Sequence, residues 1–360
     1  MTGYKLLIWM NVPSHHQEDF FNSLNNNPNI NLKVFYFRRL SDSRIKQGWT
    51  KINELRDFEF FIPEDFTSLN YCSDWKERIH IISGLSTLYR LKLAIHLNKN
   101  KIPWFTWAEP SFPGFRWYVS YPIKLLQSKI INKSRGGALA IGENAIKDFI
   151  NKGVKSNKIH LLPYSFLQNV VVPFKSGENK NEIAIKFLFV GKLSRRKGTD
   201  ILIKAFSKLL KAYQNIELIL VGKYDGNTFH RLANKCSFPE KIKFVGPVSH
   251  TNIITYYHDC HIFVLPSRFD GWGMVLNEAA SMHLPIIASS NCGASKHLIN
   301  SNGIILPTLS VNDLYIGMKF YLDNTDLINL HGNQSFNEYL KFTPEQNTER
   351  LINILEVCIN

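Results

Sequence analysis

Residues 262–289 combine a strand, a glycine-rich turn, a helix and a second strand in one short segment. The apolar run Ile262–Leu265 leads into the turn, a helix is predicted to begin near Met274, and another strand follows Pro285. This succession is typical of a parallel sheet with helices packed on its faces, and strands alternate with helices through the whole chain. The segment therefore predicts an α/β fold.

Two carboxylates flank this turn, with Asp270 on the loop and Glu278 just over one turn into the helix. The N–H groups at a helix start, beside glycines that let a ligand approach the backbone, form an anion site. An acid inside the helix cannot bind the same anion but can accept hydrogen bonds from ribose hydroxyls. The combination suits a nucleotide sugar. The alternative is an ordinary glycine turn within a parallel sheet.

A second strand-to-helix turn lies earlier in the chain, where the buried strand predicted at 187–190 leads into residues 191–198, called here the basic loop. An amphipathic helix is predicted to begin near Thr199. Cations at a helix N-terminus oppose the helix dipole, so their presence there indicates a bound polyanion. The alternative is a solvated basic loop. The loop contains four cations: Lys192, Arg195, Arg196 and Lys197.

The spacing Asp270-x7-Glu278, with Gly-Trp-Gly-Met at 271–274, resembles the acid-x7-acid signature of retaining GT-B glycosyltransferases of family 4, also called glycosyl transferases group 1. The family usually has Glu at the first acid, so Asp270 is a shortened variant. His283 stands where the family usually has glycine.

The basic loop resembles the family's Gly-Arg-Leu…Lys-Gly loop, whose two cations hold the donor diphosphate. Lys197 falls on the family's lysine and Lys192 on its arginine, so Arg195 or Arg196 is an alternative source of the second cation. Residues 242–249 resemble the loop against the nucleobase. The resemblance covers residues 183–310 densely, whereas the first half matches by strand rhythm and a few landmarks.

The resemblance implies a GT-B fold, in which two Rossmann-like α/β domains face a cleft. It assigns catalysis to Lys197, Asp270 and Glu278. It implies retention of the anomeric configuration, with the leaving phosphate itself taking the acceptor proton. The implied donor-binding residues are Lys192, Arg196, Lys197, Val248, Asp270, Gly271, Trp272, Gly273, Met274, Val275 and Glu278.

No essential metal and no other cofactor is expected. No Asp-x-Asp pair follows a candidate donor-binding strand. A metal ion can neutralise a leaving diphosphate, but Lys197, its neighbouring cations and a helix N-terminus can do so without one. The nucleotide sugar is then a substrate and not a resident group.

The length of 360 residues accommodates two domains of about 150 residues each. We predict an acceptor-binding domain at 1–170, a nucleotide-sugar-binding domain at 171–340, and a C-terminal helix at 341–360 that crosses back onto the first domain. The linker is placed within 163–180, which contains two prolines and Gly177. The strands predicted in the first half are Tyr4–Met10, 32–37, Ile79–Ile82, 104–106, 138–141 and Ile159–Leu161.

The first domain should supply the acceptor site. His15 and His16 follow the first strand and are candidates to bind an acceptor hydroxyl or phosphate; alternatively, Ser14 caps the next helix and the histidines are merely exposed. Glu109 lies at the end of a later strand and is a third acceptor candidate, with a structural ion pair as the alternative.

The net charge of +14 indicates an anionic partner. No helix-turn-helix, zinc-finger or RNA-binding signature points to nucleic acid. Residues 112–135, called here the basic aromatic segment, interleave aromatic and aliphatic residues with five cations and contain no acid. Such a segment suits an amphipathic helix on an anionic membrane surface. Equally, its apolar stripe could pack into the first domain.

Cellular location follows from three further features. The five cysteines show no paired spacing, which favours a reducing compartment. We see no signal peptide and no apolar stretch of about twenty residues. The protein is therefore expected in the cytoplasm or peripherally on the inner face of the cytoplasmic membrane.

The sequence thus predicts a retaining hexosyltransferase that moves a sugar from a nucleotide-diphosphate sugar to a glycan, of the lipid-linked, lipopolysaccharide or capsule type. Two other enzymes are alternatives: a GT-B nucleotide-sugar epimerase or hydrolase, and a phosphorylase-like relative, which would normally be far longer. A basic peripheral membrane protein without catalysis would explain the charge but not the two ligand loops.

Overall fold

Two separate parallel sheets organise the computed structural model, which describes residues 3–40, 55–62, 72–167 and 184–359. The first sheet has the spatial order β3-β2-β1-β4-β5-β6-β7. Its strands are β1 (Tyr4–Met10), β2 (Ile30–Tyr36), β3 (Glu59–Phe61), β4 (Ile79–Ile82), β5 (Trp104–Ala108), β6 (Gly137–Ala140) and β7 (Ile159–Leu161).

The second sheet has the order β10-β9-β8-β11-β12-β13. Its strands are β8 (Ile185–Val190), β9 (Ile216–Val221), β10 (Ile242–Gly246), β11 (Ile262–Leu265), β12 (Ile286–Ser289) and β13 (Gly303–Leu306). The chain moves outward from β8 to β10 and then returns to the other side of β8. The strand order therefore reverses between β8 and β11, where ligands bind in open α/β sheets.

Helices connect the strands of both sheets. Those from the first part of the chain are α1 (His15–Asn26), α2 (Leu88–Lys99), α3 (Phe115–Val119), α4 (Tyr121–Lys133) and α5 (Glu143–Asn151). Those from the rest are α6 (Thr199–Leu209), α7 (Thr228–Ala233), α8 (His250–Asp259), α9 (Met274–Ser281), α10 (Ser295–Leu298), α11 (Val311–Asp323), α12 (Asp326–Tyr339) and α13 (Pro344–Ile359).

The chain divides into two compact units: Met1–Phe166 with Thr343–Asn360, and Leu167–Phe342. They are called here the first and the second unit. Within the first, α13 packs against α1, where the Ser23 and Thr348 hydroxyls lie 2.8 Å apart. Asn347 is fully buried and donates to the Pro163 carbonyl at 2.7 Å. Most of the predicted linker lies in 168–183, outside the described residues.

The central strands are continuous apolar runs because helices cover both faces of each sheet. All four residues of β11 are completely buried, and β11 pairs with β12 in the register Phe263↔Ile286. Apolar runs made these strands recognisable. Tyr4–Met10, Ile79–Ile82 and Ile159–Leu161 are confirmed with their predicted bounds, and the other three predicted strands differ only at their ends.

The sequence reading missed β3, because one of its three residues is a buried acid. Glu59 accepts a hydrogen bond from the Tyr36 hydroxyl at 2.5 Å and two from the Arg56 guanidinium at 2.8 and 2.9 Å. Hydrogen bonds and an opposite charge of this kind allow a carboxylate to be buried within a sheet. An acid next to two phenylalanines gave no apolar run to recognise.

Candidate active site

The basic loop and the loop at 266–273, called here the acidic loop, follow two neighbouring strands. β8 pairs with β11 in parallel, in the register Phe187↔Ile262 and Leu188↔Phe263, so the carboxyl ends of both strands lie at one edge of the sheet. The basic loop leaves β8 and the acidic loop leaves β11 at this edge. Both loops therefore meet where the strand order reverses.

Glycine at position 198 makes the close approach of the two loops possible. Gly198 has φ +77°, and a Cβ there would lie 1.8 Å from the carbonyl oxygen of Pro266 on the acidic loop. A side chain would therefore push the loops apart. Gly198 is also the N-cap of α6, so the basic loop ends in a helix whose N-cap has no side chain.

The helix α9 begins at Met274, as predicted, and its N-cap is Gly273 with φ +93°. Glycine offers no side chain, so the first-turn N–H groups of α9 receive no side-chain cap from this residue. An anion placed at this end would meet those N–H groups and the positive end of the helix dipole. Met274 and Val275 are half-buried in this first turn.

Lys197 and Asp270, both assigned to catalysis, are brought together across the two loops. The Lys197 Nζ donates to Asp270 Oδ2, and both side chains are largely buried. The two groups lie far apart in the sequence, and only the adjacency of β8 and β11 joins them. The pair keeps a cation in place at the sheet edge, where a diphosphate could compete with Asp270 for it.

Glu278 lies in α9 and is only 7% exposed. Its Oε2 accepts a hydrogen bond from the hydroxyl of Tyr257, on α8, at 2.6 Å. Burial raises the pKa of Tyr257 well above its ordinary value, and the neighbouring Glu278 charge raises it further. Tyr257 therefore acts as a donor that orients the carboxylate. Sequence reasoning missed this tyrosine because nothing local connects it with the acid-x7-acid spacing.

Arg268 ties the two loops together and was also missed. Its guanidinium donates to both oxygens of Asp200 at 2.7 and 2.9 Å and also to the Arg195 carbonyl. Its backbone N–H donates to the Arg196 carbonyl at 2.7 Å, and Arg196 Nη1 donates back to the Phe269 carbonyl at 2.8 Å. In the sequence, this role could have been suspected from the presence of an arginine two positions before Asp270.

Lys192, a further predicted donor-site cation, forms an ion pair outside the Lys197–Asp270 contact. Lys192 Nζ lies 2.6 Å from Asp225 Oδ2, and both side chains are at least half exposed. A hydrogen bond from Lys192, followed by its charge, lowers the pKa of Asp225. Val248 is half-buried on the loop after β10. The structure thus places Lys197 deepest among the paired cations of the basic loop.

Trp272 is a core residue. Its indole Nε1 donates to Asn277 Oδ1 at 2.8 Å, and its ring lies 5.5 Å from His297 and 6.0 Å from Phe342. Any contact of Trp272 with a ligand must therefore come from its backbone. The backbone of Gly271 packs closely against Gly293, where an added Cβ would lie 2.1 Å from the Gly271 carbonyl oxygen, so position 293 needs a glycine.

His283 replaces the glycine that the family usually has, and its backbone keeps a positive φ of 55°. This left-handed conformation favours glycine, so a histidine here needs support from its side chain. The His283 ring stacks on Phe336 at 4.3 Å, and its Nδ1 lies 3.1 Å from Asn333 Oδ1. These two contacts on α12 explain how the substitution is tolerated.

The acceptor candidates lie in the first unit. His15 and His16 are the first residues of α1, after Ser14, which makes no side-chain cap hydrogen bond. Ser14 thus occupies the N-cap position of α1, as the alternative has it, but without the side-chain hydrogen bond of a cap. Glu109 directly follows β5 and is hydrogen-bonded to the hydroxyl of Tyr164, whose pKa is raised first by burial and then by Glu109.

The basic aromatic segment forms two helices, α3 and α4, and not one amphipathic helix. Pro122 lies in the first turn of α4, where its missing N–H is tolerated, so the chain breaks around Ser120. Within the described ranges, no three His, Cys, Asp or Glu side chains come together as metal ligands. No helix of the described part is long and apolar enough to cross a membrane.

Comparison with known proteins shows which family the second unit is similar to. Residues 173–339 match the family model of glycosyl transferases group 1. A GDP-mannose-dependent monoacylated alpha-(1-6)-phosphatidylinositol monomannoside mannosyltransferase of Corynebacterium glutamicum is 30% identical over 132 residues, covering 34% of this chain and 34% of that protein. The capsular polysaccharide biosynthesis glycosyltransferase CapM of Staphylococcus aureus is 24% identical over 197 residues, covering 52% and 51%. The chain thus matches about half or less of the length of these relatives.

Solved structures resemble the chain over nearly its whole length. Anabaena Alr3699/HepE in complex with UDP has a TM-score of 0.76 at 14% identity, covering 98% of this chain and 100% of that chain. The apo form of the lipopolysaccharide outer core galactosyltransferase WaaB has a TM-score of 0.70 at 14% identity, covering 98% and 99%. At such identity the likeness shows the fold, and it confirms the predicted α/β fold class, GT-B.

Proposed function

Because residues 173–339 match the family model of glycosyl transferases group 1, we propose that the protein transfers a sugar from a nucleotide-diphosphate sugar to a glycan acceptor. The observation that carries this proposal is the meeting of three groups where the strand order reverses. They are the cation of Lys197, the glycine-capped start of α9 and the buried carboxylate of Glu278. This set matches diphosphate oxygens on one side and ribose hydroxyls on the other.

The diphosphate would bind between Lys197 and the first turn of α9. In that position its negative charge replaces Asp270 as the partner of Lys197, and the backbone N–H groups complete the site. Negative charge grows on the diphosphate as its bond to the sugar breaks. Fixed donors aimed at such a developing charge typically contribute about 3 kcal/mol each.

The carboxylates have separate roles in this proposal. Glu278 accepts hydrogen bonds from the ribose, with Tyr257 holding one of its oxygens. Asp270, once displaced from Lys197, faces the donor sugar. These residues require no metal, and we propose that none is essential.

The transfer proceeds with retention, as the resemblance implies. The bond between the anomeric carbon and the phosphate oxygen breaks, and the acceptor oxygen attacks from the same face of the sugar. The acceptor proton passes to the leaving phosphate oxygen, so the nucleoside diphosphate leaves with the bonding electron pair. The protein residues bind, orient and stabilise charge in this scheme.

An anionic membrane surface is the proposed second partner, on the cytoplasmic side. In the basic aromatic segment, Phe115 is 82% and Ile123 is 57% exposed, and the cations of the segment have no acid among them. Exposed aromatic and aliphatic groups with cations around them complement an anionic lipid interface. The named relatives support an acceptor of the lipid-linked, lipopolysaccharide or capsule type.

The test is a titration of the protein with UDP, GDP, ADP and CDP by calorimetry, followed by incubation with the corresponding nucleotide sugars. We expect micromolar affinity for at least one nucleoside diphosphate and slow release of sugar from its donor. Proton NMR of a transferred product should show the anomeric configuration of the donor. Absence of nucleotide binding contradicts the proposal, and release of an epimerised free sugar would instead identify an epimerase or hydrolase.

A further inference from the structure

A pocket of about 510 Å³ lies in the first unit, and none of the residues used above for the nucleotide sugar lines it. It is formed at the carboxyl ends of β1, β4 and β5, where the chain leaves the sheet, and it is closed on one side by α4. The carboxyl edge of a parallel sheet is where α/β proteins bind small ligands.

The loop at 83–87 forms one wall of the pocket and is held in a fixed conformation. The guanidinium of Arg90, a buried residue of α2, bonds the Ser83 carbonyl and donates to Ser86 Oγ at 2.9 Å. From the other side, Gln127 Nε2 of α4 donates to the Leu85 carbonyl at 2.8 Å. The pocket is therefore built before any ligand arrives.

The inner end of the pocket offers a chain of polar groups. Gln17 is only 8% exposed and is hydrogen-bonded to the Tyr164 hydroxyl, which is in turn bonded to Glu109. In the part of the chain that the structure describes, Gln17 Oε1 has no hydrogen-bond partner. A buried acceptor without a donor is unfavourable, and a ligand hydroxyl would supply one. Acceptors and hydroxyls in this arrangement suit a sugar.

A cation lies at the α4 side of the pocket. The Nζ of Lys124 lies 4.3 Å above the Trp117 ring and 3.4 Å from the Trp117 carbonyl. The second lysine of the pocket, Lys152, is paired with Asp148, whereas no described acid forms an ion pair with Lys124. Burial, and then the charge of Lys152, lower the pKa of Lys124. An anionic group placed next to Lys124 would stabilise the protonated, charged form of its amine.

The basic aromatic segment lines one side of the pocket and also carries exposed apolar residues. Ser120, Ile123 and Lys124 line the pocket, and Ile123 is also part of the exposed apolar surface that Phe115 and Tyr118 continue. The helix α4 therefore presents Lys124 and Gln127 to the pocket, and Ile123 joins the pocket lining to the exposed apolar surface. A ligand that reaches from one to the other must be amphiphilic.

We propose that this pocket binds the polar head of an anionic glycolipid, which is the acceptor. A sugar ring lies against Gln17, Tyr164 and Glu109, and the phosphate that joins the sugar to its lipid lies next to Lys124. The lipid chain stays in the membrane at the apolar face. This inference rests on the proposed glycosyl transfer and names its acceptor.

The test uses glucosyl hexadecyl phosphate in phosphatidylcholine vesicles, with a photoreactive diazirine either on the sugar or at the chain end. After irradiation of the full-length protein, labelled peptides are mapped by mass spectrometry. We expect the sugar diazirine to label 83–86 and 107–111, and the chain diazirine to label 112–126. Sugar labelling spread over other surfaces overturns the proposal.

Two matched variants sharpen the test. Lys124→Gln removes the cation in the pocket, whereas Lys129→Gln removes an exposed cation of the same helix that does not line it. We expect the first to reduce sugar labelling at least tenfold and the second less than twofold. Equal effects would mean that only the membrane surface charge matters. The neutral hexadecyl glucoside should label weakly in wild type and be insensitive to Lys124→Gln.

Calorimetry with nucleoside diphosphates separates this inference from the function on which it rests. Nucleotide binding with no sugar labelling in the pocket refutes the acceptor site alone. Loss of nucleotide binding in wild type refutes the glycosyltransferase proposal, whatever the lipid probes show. Nucleotide binding by both lysine variants is expected to equal that of wild type, because both residues lie in the first unit.

Discussion

In the second unit, Lys197 and Asp270 lie on two loops that each follow a strand directly, whereas in the first unit Gln17, Glu109 and Lys124 come from three distant parts of the chain. The first arrangement leaves a local pattern of glycines, cations and acids in the sequence. The second leaves no local pattern beyond Glu109 at a strand end, because neighbouring strands and a helix bring its members together only after folding. The two sites therefore differ in how far sequence can reveal them.

The difference extends to how rigidly each site is held. In the second unit the two loops are tied to each other by Arg268, Arg196 and the Lys197–Asp270 pair. In the first unit the Arg90 guanidinium and the Gln127 amide hold one wall of the pocket by hydrogen bonds. The predictions below test whether the tied loops carry the chemistry and the first unit carries acceptor and membrane binding.

Lys197→Ala is expected to have the largest effect. Removing one fixed donor from a developing charge typically costs roughly a hundredfold to a thousandfold in kcat. The matched control is Lys192→Ala, which removes an exposed cation of the same loop and should cost less than about tenfold. Steady-state kinetics measure both. Equal losses would show that the loop acts through its total charge and not through one positioned amine.

Arg268→Ala should reduce kcat by up to about a hundredfold, because the loops that hold Lys197 lose their common partner. Arg268 acts through Lys197 in this view, as a positioning residue. In a Lys197→Ala background the same change should therefore have little further effect. Additive losses in the double variant would indicate a purely structural role. Arg268→Lys should restore activity only in part, since lysine cannot bond both oxygens of Asp200.

Lys129→Gln with Lys133→Gln should weaken binding to anionic vesicles about thirtyfold, since each cation near such a surface contributes about 1 kcal/mol. The control is Lys211→Gln with Lys235→Gln, which removes two exposed lysines of the second unit. Vesicle co-sedimentation at constant ionic strength measures both. Similar losses in the two double variants would assign membrane binding to the net charge and not to the basic aromatic segment.

Glu278→Gln should weaken nucleoside diphosphate binding about tenfold, because an amide has one acceptor oxygen where the carboxylate has two. The loss should be present without any sugar on the nucleotide. Asp270→Asn should show the opposite pattern, weakening the intact donor more than the nucleoside diphosphate. Calorimetry with both ligands decides this. If Glu278→Gln affects only the sugar donor, the roles of the two acids are exchanged.

The difference between local and long-range contacts also explains how much of the structure could be predicted from the sequence. The strands β8 and β11 and the helix starts at Thr199 and Met274 could be predicted because each depends on residues near one another in the chain. The contact of Lys197 with Asp270 could not, because it depends on the pairing of β8 with β11. Nor could the roles of Tyr257 and Arg268, since their partners are set by how α8, α6 and the acidic loop pack. β3 was hidden by a buried acid, and of the pocket in the first unit the sequence analysis identified Glu109, at a strand end, but not Gln17, Tyr164 or the role of Lys124.

The smallest expected effect concerns the ion pair between Arg268 and Asp200, which joins the two loops, and its contribution to protein stability at acidic pH. Burial alone would raise the pKa of Asp200, but the hydrogen bond and charge of Arg268 outweigh it, so the folded-state pKa lies below the ordinary value. A carboxylate whose pKa is lowered on folding stabilises the protein fully at pH values above its pKa in the unfolded state. This stabilisation is lost as the pH falls through the pKa that the carboxylate has in the folded state. The loss should therefore begin below about pH 4.

The measurement is urea unfolding of wild type and Asp200→Asn between pH 7 and pH 3. At pH 7 the variant should be less stable by about 1 kcal/mol, the range of a solvent-accessible ion pair. The difference should shrink as the pH approaches 3, because wild type then loses the same charge. A difference that stays constant over this range would mean that Asp200 acts through hydrogen-bond geometry alone, and that its charge does not hold the two loops together.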